Sequence, residues 1–302
     1  MKILSLFDGI SCGMQALKSL NIPIEKYYAS EIDKYAIEVS RKNHPEIIQL
    51  GDIENWKEWD IEWDEIDMVI GGSPCQGFTF AGKRLNFDDH RSKLYFTFYE
   101  ILSYLKVKNP SILFLLENVK MESKCKKAID EMLGVEGVLI NSNLFSAQNR
   151  QRYYWTNIPI AELPTDSPIV LKDILKTEDN DNSRLPVSKI HLNAWLKNYK
   201  WKSDDVNGKS KPLLASYYKQ PPHCPYVQYR DIQENENELK ESIYRRLSPI
   251  ECERLQTLPD NYTLVTNEKG NENSFMQRYK MLGNGWTVAV IRHIFSSLEN
   301  TI

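Results

Sequence analysis

Cysteine is scarce in this 302-residue chain, and its spacing argues against two kinds of site. The number of cysteines is odd and no Cys-x-x-Cys pair occurs among them: Cys12, Cys75, Cys125, Cys224 and Cys252. Because disulfide frameworks and zinc sites need cysteines paired at suitable spacing, we expect neither a disulfide framework nor a metal site. The cysteine usage favours a reducing compartment, and we expect a cytoplasmic or nucleoid-associated location.

Long apolar runs are also lacking, and none approaches the roughly 20 residues of a membrane-spanning helix. The apolar start resembles a signal sequence only superficially, because Asp8 and Gly9 interrupt it too early. Charge of one sign does not dominate, since 38 Lys and Arg face 41 Asp and Glu, for a net charge of −3. We expect a soluble globular protein with one large domain and a smaller one, and no contact with a membrane.

Short apolar strands alternate with helical segments in the first half of the chain. Strands are predicted at residues 2–7, 27–32, 47–50, 67–70 and 112–116, with shorter ones at 138–140 and 153–156. Helices are predicted at residues 14–20, 34–43, 92–106 and 125–133. This alternation predicts an α/β fold with a Rossmann-like, doubly wound and mostly parallel sheet.

The alternation stops near residue 159. Residues 159–243 have little periodicity and are rich in Pro, Asn and Lys, whereas Ser248-Pro249 predicts a new helix start. We therefore predict a first domain at residues 1–158, a small irregular region at 159–243, and a return to the first domain at 244–302, ending in a helix at 286–298.

A glycine turn and two acidic residues follow the first three predicted strands. Gly9 and Gly13 bound the turn, Glu31 ends the second strand and Asp52 follows the third. Such acids can accept hydrogen bonds from ribose hydroxyls and from an adenine amine. The G-x-G-x-x-G phosphate loop is missing, which favours a phosphate-free nucleoside cofactor such as S-adenosylmethionine. A turn that binds nothing is the alternative.

Two further features suggest chemistry. Cys75 follows the fourth strand in a Gly/Pro turn, at the sheet edge where α/β enzymes place reactive groups. Glu117 ends the next buried strand and would lie beside Cys75 as a proton donor. Arg150 and Arg152 share one face of an extended segment and could bind an anionic or carbonyl-rich ligand. The alternatives are a structural cysteine, a helix-capping acid and solvated arginines.

Residues 184–230 carry nine basic and two acidic residues, a local charge of +7 in a chain of net charge −3. Aromatic residues are interleaved with them, including Trp195, Tyr217 and Tyr218. A basic, aromatic and irregular segment inside an acidic protein predicts a nucleic-acid contact surface. A solvated lysine-rich loop is the alternative.

These residues together resemble the cytosine carbon-5 DNA methyltransferases along nearly the whole chain. The matching motifs occur in the family's order: Phe7-Asp8-Gly9, Ser73-Pro74-Cys75-Gln76, Glu117-Asn118-Val119, Gln148-x-Arg150-x-Arg152, the segment from Arg246 to Gln256, and Gly283-Asn284. Details such as Phe7-Asp8-Gly9-Ile10 are similar to the animal de novo enzymes. Ser11-Cys12 and Trp286 depart from the glycine-rich motif and the small residue that many family members have.

The resemblance implies an S-adenosylmethionine-dependent methyltransferase fold in which residues 159–243 recognise the target. It implies that Cys75 adds to carbon 6 of a flipped cytosine, that Glu117 acts on ring nitrogen 3, that Arg152 holds the carbonyl oxygen and that Arg150 supports the site. Carbon 5 would then take the methyl group, and loss of its proton would release Cys75. The cofactor contacts implied are Phe7, Asp8, Gly9, Ile10, Ser11, Cys12, Glu31, Ile32, Asp52, Ile53, Asn284 and Trp286.

Double-stranded DNA is the expected partner. Its contacts are expected at Gln76, Lys83, Arg84, Arg91, Lys197, Lys200, Lys202, Lys209, Lys211, Lys219 and Arg230. A cognate restriction endonuclease acting separately would fit such an enzyme. Two alternatives stay open at this point: methylation of tRNA, and a catalytically silent DNA-binding homologue.

Overall fold

The computed structural model describes residues 1–73, 80–81, 84–85, 90–176, 186–199, 202–229 and 243–300. Contacts divide the chain into two compact units. The first unit comprises Met1–Asn141, Gln151–Leu163 and Val288–Ile302, and the second comprises Ser142–Arg150 and Pro164–Thr287. The roles predicted for residues 1–158, 159–243 and 244–302 stay predictions.

The strands and helices of the first unit follow the alternation predicted from the sequence. The strands are β1 (Lys2–Leu6), β2 (Lys26–Ser30), β3 (Ile48–Gln49), β4 (Met68–Gly72), β5 (Phe80–Ala81), β6 (Arg84–Leu85), β7 (Leu113–Val119), β8 (Val138–Asn141) and β9 (Gln151–Thr156). The helices are α1 (Cys12–Ser19), α2 (Lys34–Asn43), α3 (His90–Lys108) and α4 (Ser123–Leu133).

Seven strands form one sheet in the order β3-β2-β1-β4-β7-β9-β8. The first five of these are parallel to one another, whereas β9 runs antiparallel to both β7 and β8. The predicted mostly parallel sheet is confirmed. Because such a sheet is covered on both faces, its strands are nearly continuous apolar runs, as Val69 and Phe114 illustrate with exposures of 0% and 1%.

Several boundaries in this unit differ from the sequence prediction, and two of them place a polar residue inside an element. Strand β7 continues to Val119 instead of ending at residue 116, so Glu117 lies inside the strand, paired across both neighbours. Helix α3 begins at His90, so Ser92 lies within it and does not cap it. In both cases backbone pairing or helical bonding extends past a polar residue that local propensity would place at an end.

The second unit is more regular than its sequence suggests. It contains α5 (Leu171–Ile174), α6 (Lys189–Tyr199), the antiparallel pair β10 (Tyr226–Tyr229) and β11 (Ile243–Arg246), α7 (Pro249–Leu255) and α8 (Phe275–Asn284). Its aromatic residues form a core, in which Trp195 of α6 packs on Tyr226 with ring centroids 4.8 Å apart. The predicted helix start is confirmed, because Ser248 caps α7 and exchanges hydrogen bonds with Glu251.

The chain returns to the first unit in α9 (Val288–Phe295), which packs against α1. This helix is shorter than predicted at both ends and is followed by a 3-10 helix at Ser296–Asn300. Its apolar side chains are buried, with Val290, Ile291 and Ile294 fully enclosed. Among the described residues, no helix combines the length and apolar character that crossing a membrane requires.

Candidate active site

The turn after β1 has an unusual backbone. Phe7, Gly9 and Ser11 all have positive φ, at 58°, 58° and 60°. Glycine adopts this region freely, but Phe7 and Ser11 do so at a cost, and such residues persist only where surrounding structure holds them. The backbone is fixed by two hydrogen bonds, from Asp8 N to Ser30 O and from Ser11 N to Asp8 O, each of 3.0 Å. The surrounding structure therefore holds this turn in one conformation at the carboxyl edge of the sheet.

Asp8 points its carboxylate into the protein beneath this turn. Oδ1 accepts hydrogen bonds from Ser5 Oγ (2.6 Å) and Tyr27 Oη (2.9 Å), and Oδ2 accepts one from Ser11 Oγ (2.5 Å). Removal from water raises the pKa of Asp8 to about 6, although the three hydroxyl donors work in the opposite direction. Most of the acceptor capacity of this carboxylate is thus taken up by the protein itself.

Glu31 links the turn to the end of β2. Its Oε2 accepts from Gly9 N, and its Oε1 accepts from Ile32 N and Asp33 N, each at 2.8 Å. Beside it, the side chain of Ile32 is 73% exposed, although it is large and apolar. An acid that fixes a glycine turn, next to an uncovered apolar side chain, suits a ligand that has both hydroxyl groups and a flat apolar ring.

The end of β3 lies next along the same edge. Asp52 Oδ1 accepts from Glu54 N (3.0 Å) and caps a 3-10 helix, and Ser30 Oγ donates to Gly51 O (2.7 Å). Of the apolar residues expected around a cofactor, Phe7 is half-buried. Three others lie in the core and are at most 4% exposed: Ile10, Cys12 and Ile53.

Glu117 and Arg152 form an ion pair on neighbouring strands. Arg152 Nε lies 3.0 Å from Glu117 Oε1, and the two side chains are only 14% and 11% exposed. Glu117 is paired in register with Gly72 of β4, three residues before Cys75. Partial burial keeps this pair from being screened by solvent, so Arg152 fixes the orientation of the carboxylate.

Asn118 anchors the chain that leads to Cys75. Its Nδ2 donates to Ser73 O (3.3 Å) and Ser73 Oγ (3.2 Å), and all of these groups are buried. Sequence reasoning treated Asn118 only as part of a motif and assigned it no role. Its position directly after Glu117, at the end of a buried strand, is the signal that could have identified it.

Arg150 makes a different set of contacts in the second unit. Its guanidinium is 3% exposed and donates to the backbone oxygens of Leu213 (2.7 Å), Gly283 (3.0 Å) and Gly285 (3.0 Å). The two arginines of the motif therefore have separate partners. Arg150 joins two backbone segments, at Leu213 and at Gly283–Gly285, whereas Arg152 orients a carboxylate.

The last motif lies at the end of α8 in the second unit. A Cβ on Gly283 would lie 2.2 Å from the backbone of Ala215 and Leu214, so only glycine fits. Asn284, the last residue of α8, is exposed, and Trp286 is half-buried. Both residues stay predicted cofactor contacts.

The basic segment divides into bound and exposed cations. Lys209 Nζ donates to the backbone oxygens of Ser146, Ser167 and Ile169 at 2.6–3.1 Å, and burial lowers its pKa. Lys211 Nζ lies 3.1 Å from Asp204 Oδ2 and also donates to Lys202 O. Among the basic residues of this segment whose side chains the structure describes, the exposed ones are Lys197, Lys202 and Lys219.

Tyr217 does not lie on the nucleic-acid contact surface predicted for the aromatic residues of the basic segment. It is fully buried, donates to Pro225 O (2.5 Å) and accepts from Leu247 N (2.7 Å). A ring enclosed in this way belongs to the core of the second unit. The neighbouring Tyr218 is half-buried, with Lys219 Nζ 5.6 Å from its ring centroid.

Several predicted site residues lie outside the described residues. These are Cys75, Gln76, Lys83, Lys200 and Arg230. Arg84 lies in β6 and Arg91 in α3, where the backbone is described. In the described part of the chain, no group of three or more His, Cys, Asp or Glu side chains is arranged to hold a metal ion.

Comparison with known proteins agrees with this arrangement. A family model described as C-5 cytosine-specific DNA methylase matches residues 1–300. The orphan methyltransferase M.Rho11sI of Bacillus phage rho11s is 30% identical over 72% of this chain, and the match spans 44% of that protein's length. The type II methyltransferase M.NgoPII of Neisseria gonorrhoeae is 27% identical over 100% of this chain and 96% of its own.

The fold also matches a solved structure. The Dnmt2 methyltransferase of S. pombe superimposes with a TM-score of 0.74 over 100% of this chain and 99% of that one. The two sequences are 21% identical, so the likeness is one of fold.

Proposed function

The chain belongs to the C-5 cytosine-specific DNA methylase family, and on that premise we propose that it methylates carbon 5 of cytosine in double-stranded DNA, with S-adenosylmethionine as the methyl donor. The observation that carries the proposal is the Glu117–Arg152 pair, aligned by strand register with the segment that leads to Cys75. An ion pair with a purely structural role would not need to lie beside the segment that leads to Cys75. Cytosine methylation, in contrast, needs an acid, a cation and a thiol close together.

The proposed chemistry assigns one task to each group. The Cys75 thiolate adds to carbon 6 of the cytosine, forming a C–S bond. Glu117 donates a proton or hydrogen bond at ring nitrogen 3, so that the ring accepts the electron pair released by this addition. Arg152 donates to the carbonyl oxygen and steadies the developing charge. After methylation, loss of the carbon 5 proton restores the double bond and expels Cys75.

The cofactor proposal rests on the carboxyl edge of the sheet. Glu31, already fixed by three backbone amides, would accept from the ribose, and exposed Ile32 would cover the adenine face. Asp52 would accept from the adenine amine, and Asn284 and Trp286 are proposed as further cofactor contacts. When bound, S-adenosylmethionine supplies the methyl group.

The DNA proposal rests on three exposed lysines of the basic segment: Lys197, Lys202 and Lys219. Phosphate contacts supply most of the sequence-independent affinity for DNA. The type II methyltransferase among the relatives supports a role beside a separate restriction endonuclease. Lys209 and Lys211 are not part of this proposal, because their ammonium groups already bind protein oxygens.

The test incubates the purified chain with S-adenosylmethionine and duplex DNA of mixed sequence, followed by bisulfite sequencing. We expect 5-methylcytosine within a fixed sequence context, and none with Cys75→Ser, because a hydroxyl is scarcely ionised near neutral pH. Cys125→Ser removes another thiol and serves as the matched control, since Cys125 is buried in α4. A parallel reaction with tRNA separates the substrates. Methylation of tRNA alone would overturn the DNA assignment, and turnover by Cys75→Ser would overturn the nucleophile.

A further inference from the structure

A chain of hydrogen bonds runs from β3 to the turn after β1. Gln49 Nε2 donates to Ser40 Oγ (3.2 Å), Ser40 Oγ and Ser11 Oγ are 2.7 Å apart, and Ser11 Oγ donates to Asp8 Oδ2 (2.5 Å). Ser11 Oγ is the donor in both of its contacts, so its single proton is shared between Ser40 Oγ and Asp8 Oδ2. Ser40 accepts from Gln49 on its other side, and the chain therefore reaches Asp8 through Ser11.

Two more donors reach the other oxygen of Asp8. Ser5 of β1 and Tyr27 of β2 both donate to Oδ1, at 2.6 Å and 2.9 Å. An ionised carboxylate only accepts hydrogen bonds and satisfies three converging hydroxyls at once. A protonated carboxyl would bring a fourth hydrogen into the cluster, and at least one hydroxyl would have to turn away. The arrangement is built for the ionised form.

This cluster connects five elements at one point. Its members come from β1, β2, the N-cap of α1, α2 and β3, and they surround the turn in which Phe7 and Ser11 have positive φ. Conformations of this kind persist only where the surroundings over-determine them. Asp8 supplies that restraint, because it accepts hydrogen bonds from β1, from β2 and from the N-cap of α1.

The surroundings of Asp8 bring its pKa close to neutral pH. Desolvation raises the pKa of Asp8 to about 6, and the negative charge of Glu31, at the end of β2, acts in the same direction. The other groups that reach it in the described residues are neutral near pH 7: the hydroxyls of Ser5, Ser11, Tyr27 and Ser40, and the amide of Gln49.

We propose that Asp8 is a positioning residue whose carboxylate holds the turn in its cofactor-binding shape, so that proton uptake by this group weakens cofactor binding. This replaces the expectation that Asp8 contacts the cofactor directly, and it rests on the proposed use of S-adenosylmethionine. The direction of the pH dependence follows from the hydrogen bonds of the cluster, which favour the ionised carboxylate. Above a pH of about 6 the ionised form predominates and binding is tight, and below it the affinity falls.

The experiment measures the affinity for S-adenosylmethionine by calorimetry between pH about 8 and about 5. With one linked group of pKa about 6, Kd should rise about tenfold over this range. The Asp8→Asn variant should bind S-adenosylmethionine more weakly and lose this pH dependence. Any pH dependence that remains in this variant comes from other groups, including those of the ligand. Circular dichroism at each pH checks that the chain stays folded.

A neighbouring pair of tyrosines supplies the matched comparison. Tyr27→Phe removes a donor to the carboxylate, so the midpoint of the pH profile should move to higher pH. Tyr28→Phe removes the next hydroxyl along β2, which donates to Glu62 (2.9 Å), and the midpoint should stay. If Asp8→Asn does not fold, this pair decides the question.

Three outcomes would overturn the proposal. A tight affinity for S-adenosylmethionine that does not change with pH would overturn the role of Asp8 and leave the cofactor assignment intact. Equal shifts in Tyr27→Phe and Tyr28→Phe would have the same meaning. A folded chain that binds no S-adenosylmethionine at pH about 8 would overturn the cofactor assignment and this inference together.

Discussion

Arg152 orients the Glu117 carboxylate in the absence of substrate. The role of this carboxyl group as a proton donor can therefore be tested by a substitution that changes little else. Glu117→Gln keeps the shape of the side chain but cannot donate a proton as an acid does. We predict that methyl transfer falls roughly 10²-fold or more while affinity for S-adenosylmethionine stays close to that of the unchanged chain. Single-turnover methylation of duplex DNA and calorimetry measure the two quantities.

The matched control for this change is Glu122→Gln, at an exposed carboxylate that precedes α4 and makes no side-chain capping bond. It should leave both quantities unchanged. If Glu117→Gln lowered cofactor affinity alone, Glu117 would belong to the cofactor site and not to the cytosine site.

Lysines of the basic segment show what residue type could not predict. Lys209 and Lys197 look alike in the sequence, yet one ammonium group binds three backbone oxygens and the other is exposed. The partners of Lys209 come from residues more than 35 positions away. Local charge therefore predicted a basic region, but not which of its cations are available.

At the scale of elements, Gly283 allows the end of α8 to approach the backbone at Leu214 and Ala215. Gly283→Ala would place a Cβ 2.2 Å from that backbone, which is not free to move aside like a flexible side chain. We predict a loss of about 1–3 kcal/mol or more in the free energy of unfolding, measured by urea denaturation.

Gly208→Ala is the control within the same unit, because its Cβ would meet Asp205 O at 3.6 Å, an ordinary contact. Gly208→Ala should change the free energy of unfolding by no more than about 0.5 kcal/mol. Equal losses in the two variants would mean that helix propensity or loop entropy, and not the close approach, is responsible.

Elements with strong local signals were predicted well, and those that depend on distant partners were not. Helix α2 was predicted at its observed bounds because Asp33 caps it and its apolar spacing is regular. Strand β7 runs past Glu117 because β4 and β9 pair with it on both sides, which no local pattern reveals. Helix α6 was missed because Trp195, its buried anchor, packs on Tyr226, 31 residues later in the chain.

At the scale of the whole molecule, the proposed DNA contact should appear as a salt effect. We predict that the Lys197→Ala, Lys202→Ala and Lys219→Ala triple variant binds duplex DNA more weakly. Its slope of log affinity against log salt should fall by about 0.9 for each lysine that contacts a phosphate. Fluorescence anisotropy at several salt concentrations measures this.

Lys127→Ala is the control, since this lysine is exposed on α4 beside Glu131 in the first unit. Cofactor affinity should be unchanged in both proteins. An unaltered slope in the triple variant would place the DNA contacts on other cations, including Lys83, Arg84 and Arg91.

The pairing of α1 with α9 has a consequence for the time at which this protein can finish folding. The two helices share one core, yet they are separated along the chain by the whole second unit. At a synthesis rate of about 5–20 residues per second, α9 leaves the ribosome roughly 15–50 seconds after α1. Throughout that interval the side of α1 that packs against α9 in the folded protein has no partner helix to cover it. The nascent first unit therefore waits, with apolar surface open to chaperones, until α9 has been made.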